Sequence, residues 1–246
     1  MKKRLDLYLL DNGLVPTIEK ARGLIMSGQV LVDDRPVDKP GSSVGKSANV
    51  RIKGDKGKKW VSRGGFKLDH AITHWKIDLN NKICLDVGAS TGGFTDVMLT
   101  HGAKRVYALD VGYGILDWKL VSDSRVVVMD RCNIRNLTPD QIPEPIDFIT
   151  TDVSFISLKK ALPPALSTLK PDGHGISLIK PQFELPQKDI PQGGVVKDRD
   201  MQIQAVDSIL KQSKDWRVQT IGTTPSPITG PKGNREFLFY YKNSRS

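Results

Sequence analysis

Four ionisable residues stand where chemistry can be done. Asp152 closes the apolar run FITTD, Lys180 closes ISLIK, Glu236 opens REFLFYY, and Lys67 sits in VSRGGFKLDHAI. Two lysines interleaved with two carboxylates form a proton-handling set suited to a hydroxyl nucleophile, which is weak at neutral pH until a base takes its proton. A lysine serves as that base when burial and a second ammonium depress its pKa. Lys180 is therefore the candidate base, and Lys67 the neighbour expected to disfavour its charged form. Asp152 and Glu236 would orient the pair while opposing that depression, and geometry decides which influence wins.

For these four to meet, the chain must bring them to one edge. From residue 80 short apolar runs alternate with helical stretches, the pattern of a sheet covered on both faces. Strands are expected at Ile83–Val87, Arg105–Leu109, Val126–Met129, Phe148–Thr151, Ile176–Ile179, Trp216–Ile221 and Phe237–Tyr241. The loop TTPSPITGPKGN before the last of them has too few apolar residues for a crossover helix, so that strand is expected to run antiparallel. The start of an antiparallel strand shares an edge with the carboxyl ends of the parallel ones, where ligands of open α/β sheets bind. The fold class is thus a doubly wound α/β domain with a seven-stranded Rossmann-like sheet.

After the first of these strands comes DVGASTGGF, from Asp86 to Phe94. Glycines at a strand-to-helix turn let a ligand approach the backbone and the helix N-terminus. The spacing departs from the G-x-G-x-x-G of dinucleotide binders, and no G-K-[ST] makes a phosphate loop. Its D-x-G-x-x-x-G form resembles the cofactor loop of S-adenosylmethionine-dependent methyltransferases. Asp110, ending YALD at the tip of the second strand, is placed to accept two ribose hydroxyls, and Asp130, ending the third, to border an adenine. The expected cofactor contacts are Asp86, Gly88, Ser90, Gly92, Gly93, Asp110, Asp130 and Asp152.

The 246 residues carry a net charge of +10, and it is unevenly spread. Residues 1–60 hold 13 Lys and Arg against 7 Asp and Glu, more than half of the excess in a quarter of the chain. Such an excess suggests a polyanionic partner. The pattern there is helix, helix, hairpin: Leu5–Leu10, then a helix capped by Thr17 and stopped at Ser27-Gly28, then Val30, Val32 and Val37 around Asp33-Asp34-Arg35-Pro36. Lys2, Lys3, Arg4, Lys20, Arg22, Arg35 and Lys39 are left to face solvent. The Gly, Ser and Lys-rich stretch Val37–Lys59 reads as turns leading to a boundary near residues 56–62. The expected domains are 1–58 and 63–246, joined by a linker at 59–62.

The first segment, with Arg4-Leu5-Asp6 and T-x-x-x-A-R-x-L-I-x-x-G-x-V-x-V from Thr17 to Val32, resembles the small α+β S-four type RNA-binding module. The four ionisable residues resemble the K-D-K-E tetrad of ribose 2′-O-methyltransferases. With V-S-R-G-G-F-K-L from Val61, DVGASTGGFTDVML, TDVSFISL, KPQFE and G-N-R-E-F in order, nearly the whole chain resembles the TlyA family, historically called haemolysin A, with an FtsJ-like methyltransferase domain. The resemblance implies methylation of a cytidine 2′-hydroxyl in ribosomal RNA of the ribosome, 23S and in some members also 16S, with S-adenosyl-L-methionine as cofactor. It also implies RNA contacts at Arg4, Lys20, Arg22, Arg35 and Arg63. Members differ in terminal length, and this chain is short before Arg4 and after Glu236, which leaves action on 16S open.

Other classes are narrowed by composition. Two cysteines, Cys84 and Cys132, exclude a disulfide scaffold and point to a reducing cytoplasm. No apolar run is long enough to span a membrane, and Asp6, Asp11 and Asn12 interrupt any signal-peptide core, so neither a membrane partner nor secretion is expected. His70 and His74 lack a third ligand, so no metal is expected. Trp60 reads as a hinge or interdomain packing residue, Gly193–Lys197 as a mobile loop near the catalytic edge, and Phe155 and Phe183 either as stacking partners of the target base or as core. An RNA-binding protein without catalysis and a membrane-disrupting haemolysin stand as the alternative readings.

Overall fold

The computed structural model describes residues 3–244 apart from 13, 16, 46, 47 and 53–58; Lys2 and residues 56–58 of the expected boundary therefore lie outside the described residues. The chain divides into two compact units, Met1–Lys59 and Trp60–Ser246.

In the first unit β1 (Lys3–Arg4) leads into α1 (Leu5–Asp11) and α2 (Ile18–Met26), followed by β2 (Val30–Val32), β3 (Arg35–Val37), β4 (Ser43–Val44) and β5 (Val50–Ile52). Thr17 caps α2, its hydroxyl accepting from Lys20 N at 3.2 Å. The β2–β3 turn is Asp33-Asp34, both left-handed at φ 50° and 65°, as a two-residue hairpin turn requires; Arg35 and Pro36 belong to β3 rather than to the turn. Strands β4 and β5 occupy the stretch expected to be turns. Each is two or three residues long, too short to show a period, and is recruited by pairing with β1 and β2. Leu5, Leu9, Val15, Ala21, Ile25, Val30 and Val44 form the core, and Lys20, Arg22, Arg35 and Lys39 are exposed around it.

The second unit runs α3 (Gly65–Trp75), β6 (Ile83–Val87), α4 (Gly93–Thr100), β7 (Arg105–Leu109), α5 (Trp118–Val121), β8 (Val126–Met129), β9 (Ile146–Thr151), α6 (Leu158–Leu166), β10 (Leu169–Ile179), α7 (Pro181–Glu184), α8 (Arg199–Asp215), β11 (Val218–Pro225) and β12 (Phe237–Asn243). Its seven strands lie in the order β11-β12-β10-β9-β6-β7-β8. β12 runs antiparallel to both its neighbours, β10 and β11, and every other neighbouring pair is parallel. Successive strand residues serve opposite layers. Leu238 and Tyr240 pack with Leu68, Ile72, Val97 and Met98 of α3 and α4, while Phe239 and Tyr241 pack with Leu162, Leu166 and Ile209 of α6 and α8.

Two strands differ from expectation. β10 begins at Leu169, because the polar KPDGHG stretch is carried through a register shift against β9. β11 starts at Val218 rather than Trp216, which is buried at the end of α8, and extends to Pro225 by pairing with β12. Among the described residues no helix is long and apolar enough to cross a membrane.

Candidate active site

The sheet brings three of the four ionisable residues to one edge: Asp152 follows β9, Lys180 follows β10 and Glu236 precedes β12. Helix α3 delivers the fourth. Lys67 Nζ lies 2.7 Å from Glu236 Oε2 and 3.1 Å from Asp152 Oδ2, and Lys180 Nζ lies 2.6 Å from Asp152 Oδ1. The result is an alternating chain, Glu236–Lys67–Asp152–Lys180, with both lysines and Glu236 buried. Lys180 also donates to Ser154 Oγ at 3.1 Å.

Burial pulls the Lys67 pKa down, but the carboxylates of Asp152 and Glu236 outweigh it and hold Lys67 above the ordinary lysine value. Burial likewise pushes Asp152 up, and Lys180 and Lys67 more than reverse it, so Asp152 titrates below a normal carboxylate. Lys67 is thus a fixed ammonium.

The glycine loop lies beside this set. Gly88 has φ +83°, and a Cβ there would sit 2.8 Å from the carbonyl oxygen of Asp152, so only glycine lets the loop pass. The loop is tied to the second strand tip: Gly88 N and Ala89 N donate to Leu109 O, and Ser90 N donates to Asp110 Oδ2 at 2.8 Å. Asp110 Oδ1 accepts from Gly112 N, also at 2.8 Å.

Two cavities open on this edge, of about 710 and 640 Å³. The larger is lined by all four ionisable residues, with Arg63 and Gly93. The smaller contains Asp110, Asn133 and Arg135. Gly88, Ser90, Asp152, Ser154, Phe155 and Phe183 border both, so the cavities adjoin at Asp152.

Three expected cofactor contacts line neither cavity. Asp86 is fully buried, accepting the hydroxyls of Thr95 at 2.7 Å and Thr150 at 2.9 Å, and burial pushes its pKa to about 6 despite those bonds. Gly92 backs onto Leu116 and Leu120. Asp130 accepts from Gly114 N at 2.9 Å and holds the 110–117 loop. Asp86 and Gly92 are buried behind the loop, whereas Asp130 is half-buried just past the end of β8.

Further residues find different surroundings from those expected. Trp60 is buried in the core of its own unit with Leu68 and Phe94, and Val61 N donates to Asp96 at 2.9 Å, so residues 60–62 of the expected linker pack as part of the second unit. The 193–197 segment is pinned by Asn234, which accepts from Val196 N at 2.9 Å and donates to Gly194 O at 2.8 Å. Asn234 belongs to the GNREF motif but was not a candidate. Glu184 of KPQFE was also missed; it accepts from Leu158 N at 2.8 Å and from the Ser157 hydroxyl, capping α6 behind the Asp152 loop. Phe155 is no core residue: its side chain is 91% exposed, its backbone is left-handed at φ 64°, and its ring stands 5.4 Å from that of Phe183. Arg63, expected on RNA, donates to Thr229 O in the wall of the larger cavity. His70 and His74 stack on each other at 5.8 Å.

Residues 60–243 match the FtsJ-like methyltransferase family and residues 3–50 the S4 domain. The chain is 38% identical to the 16S/23S rRNA (cytidine-2′-O)-methyltransferase TlyA of Mycobacterium tuberculosis, over 98% of this chain and 90% of that protein. It is 38% identical to hemolysin A of Brachyspira hyodysenteriae, over 97% and 99%. A solved Streptococcus thermophilus structure with a provisional hemolysin name superposes with a TM-score of 0.75 at 38% identity, covering 100% of this chain and 90% of that one.

Proposed function

This chain belongs to the FtsJ-like methyltransferases, in the family of the TlyA rRNA (cytidine-2′-O)-methyltransferases, and from that premise we propose that it methylates a cytidine 2′-hydroxyl in 23S ribosomal RNA using S-adenosyl-L-methionine. The observation that carries the reading is the meeting of the Lys67–Asp152–Lys180–Glu236 chain with a second cavity headed by Asp110.

The residues fit an adenosine-type cofactor. Asp110 engages each carboxylate oxygen with one backbone N–H, leaving a lone pair on each for a ribose hydroxyl, and Gly88 leaves backbone where a side chain would intrude. Asp110, Gly88 and Ser90 are the residues that would hold it, with Asp130 bordering the adenine and Asp86 and Gly92 behind the loop. When bound, it supplies an electrophilic methyl group. The target ribose enters the larger cavity, where Lys180 Nζ takes the 2′-hydroxyl proton. Lys180 is the base because it has one carboxylate neighbour, Asp152, whereas Lys67 has two and keeps its charge. Asp152 orients Lys180, and much of the rate would come from holding the target hydroxyl in position against Lys180 Nζ. Phe155 stacks on the target base.

The first unit holds RNA through Arg4, Lys20, Arg22 and Arg35, and Arg63 meets it in the catalytic cavity. Phosphate contacts of this kind supply affinity more than sequence readout. Ribosomal RNA as substrate implies a cytoplasmic site of action. The test is to map 2′-O-methyl positions in ribosomal RNA by mass spectrometry, with and without expression of this chain. One new cytidine modification in 23S RNA is expected, and a second in 16S RNA would widen the substrate to both subunits. RNA without any new 2′-O-methyl group would leave a binding protein in place of an enzyme.

A further inference from the structure

In the first unit, two arginines from different elements converge on one buried carboxylate. Arg4 of β1 donates Nε to Asp6 Oδ1 at 3.1 Å and Nη2 to Oδ2 at 2.8 Å, and Arg22 of α2 donates Nε to Oδ2 at 3.3 Å. Leu7 N fills the remaining acceptor position on Oδ1 at 2.9 Å. Asp6 is itself fixed, with its side chain fully buried and its own N–H donated to Pro40 O. The bonds from Arg4 and Arg22 hold its carboxyl at about 2.

The two guanidiniums, unlike the carboxylate they hold, reach solvent. Here the Arg4 and Arg22 side chains remain 55% and 51% exposed, and most of their N–H donors have no protein partner among the described residues. One carboxylate also leaves one of the two positive charges uncancelled. Arg4, held through two donors, presents its remaining edge in a fixed plane, and Arg22, held through Nε on the same carboxylate, adds its terminal donors; guanidinium donors of this kind match phosphate oxygens. The rotamer freedom a free arginine loses on binding is already gone.

We propose that Asp6 is a positioning residue that sets Arg4 and Arg22 as a preformed fork for RNA phosphate. The proposal rests on the reading of this unit as RNA-holding, and it reverses a simple charge expectation. Neutralising Asp6 makes the chain more positive, yet RNA binding weakens.

The test measures affinity of the full chain for a 23S ribosomal RNA transcript at fixed salt, beside its melting temperature. The charge-preserving double variant Arg4→Lys/Arg22→Lys is expected to bind on the order of tenfold more weakly with unchanged melting, because lysine cannot share the carboxylate edge-on and still present a planar fork. Asp6→Asn is expected to weaken binding similarly, and to add no further loss in an Arg4→Ala/Arg22→Ala background. If the double-lysine variant binds like the parent while the double-alanine variant does not, charge alone suffices and the positioning role is overturned, with the RNA-holding reading intact. If the double-alanine variant also binds like the parent, the RNA-holding reading fails and the fork with it. The double-lysine variant keeps cations beside the buried Asp6 carboxylate, so with its melting temperature it keeps the outcome readable even where the alanine changes or Asp6→Asn unfold the unit.

Discussion

Lys67 Nζ lies 2.7 Å from Glu236 Oε2, with the two side chains 8% and 1% exposed. A buried charge that loses its partner is strongly destabilising, more so than replacing the pair altogether. Lys67→Met strands Glu236 and is expected to lower the unfolding free energy of the second unit by about 3 kcal/mol or more. Lys67→Met/Glu236→Leu should recover most of it. Chemical denaturation of the three proteins decides; a single variant as stable as the parent would show that the pair is not the anchor it looks to be.

Lys180 lines the larger cavity and pairs with Asp152 alone among the four. Lys180→Ala is expected to slow transfer of radiolabelled methyl to ribosomal RNA by about a hundredfold or more, the usual worth of a positioned base. Cofactor affinity, read by calorimetry, should stay at the parent value. Transfer at parental speed would remove Lys180 from the role of base.

Asp86 makes a pH prediction with a definite sign. Its pKa rises from 3.8 unfolded to about 6 folded, chiefly through burial, so between those values the folded state binds more protons than the unfolded one. Stability contributed by its protonated form is therefore present at low pH and lost as pH rises through 6. Asp86→Asn stays neutral and can still bond both Thr95 and Thr150. The variant should match the parent near pH 4 and exceed it by roughly 2 to 3 kcal/mol at pH 7, as read from denaturant midpoints. A gap that does not widen with pH would contradict the assignment.

Phe155 combines exposure with a backbone conformation that bulky residues avoid. Phe155→Gly is expected to raise the melting temperature slightly by relieving about 1 kcal/mol of strain. The same change should raise KM for RNA by about tenfold through loss of base stacking, with cofactor affinity unchanged. Stability and activity moving together in one direction would refute a stacking role bought with strain.

Much of this architecture is readable from residue order. Apolar runs near Ile83, Arg105, Val126, Phe148, Ile176 and Phe237 locate the strands, and a loop too poor in apolar residues for a helix reverses the last of them. Short strands such as Ser43–Val44 and Val50–Ile52 escape, since two or three residues carry no period and exist only because a partner pairs with them. The polar start of β10 escapes for the same reason.

What the sequence by itself determined is which chemical groups reach the carboxyl edge of the sheet: Asp152, Lys180 and Glu236 end or begin strands, and strand direction follows from patterning and connection length. Only the tertiary structure decided what each group does there. Distances of 2.6 to 3.1 Å give Lys67 two carboxylates and Lys180 one. Packing put Asp86 beneath two threonine hydroxyls instead of against the cavity, pinned the 193–197 segment with Asn234, turned Phe155 out of the core and closed two arginines on Asp6. Periodicity is a local property set over a few residues. Burial and ångström-scale pairing depend on side chains distant in sequence, and the size of an electrostatic interaction is set over just those distances.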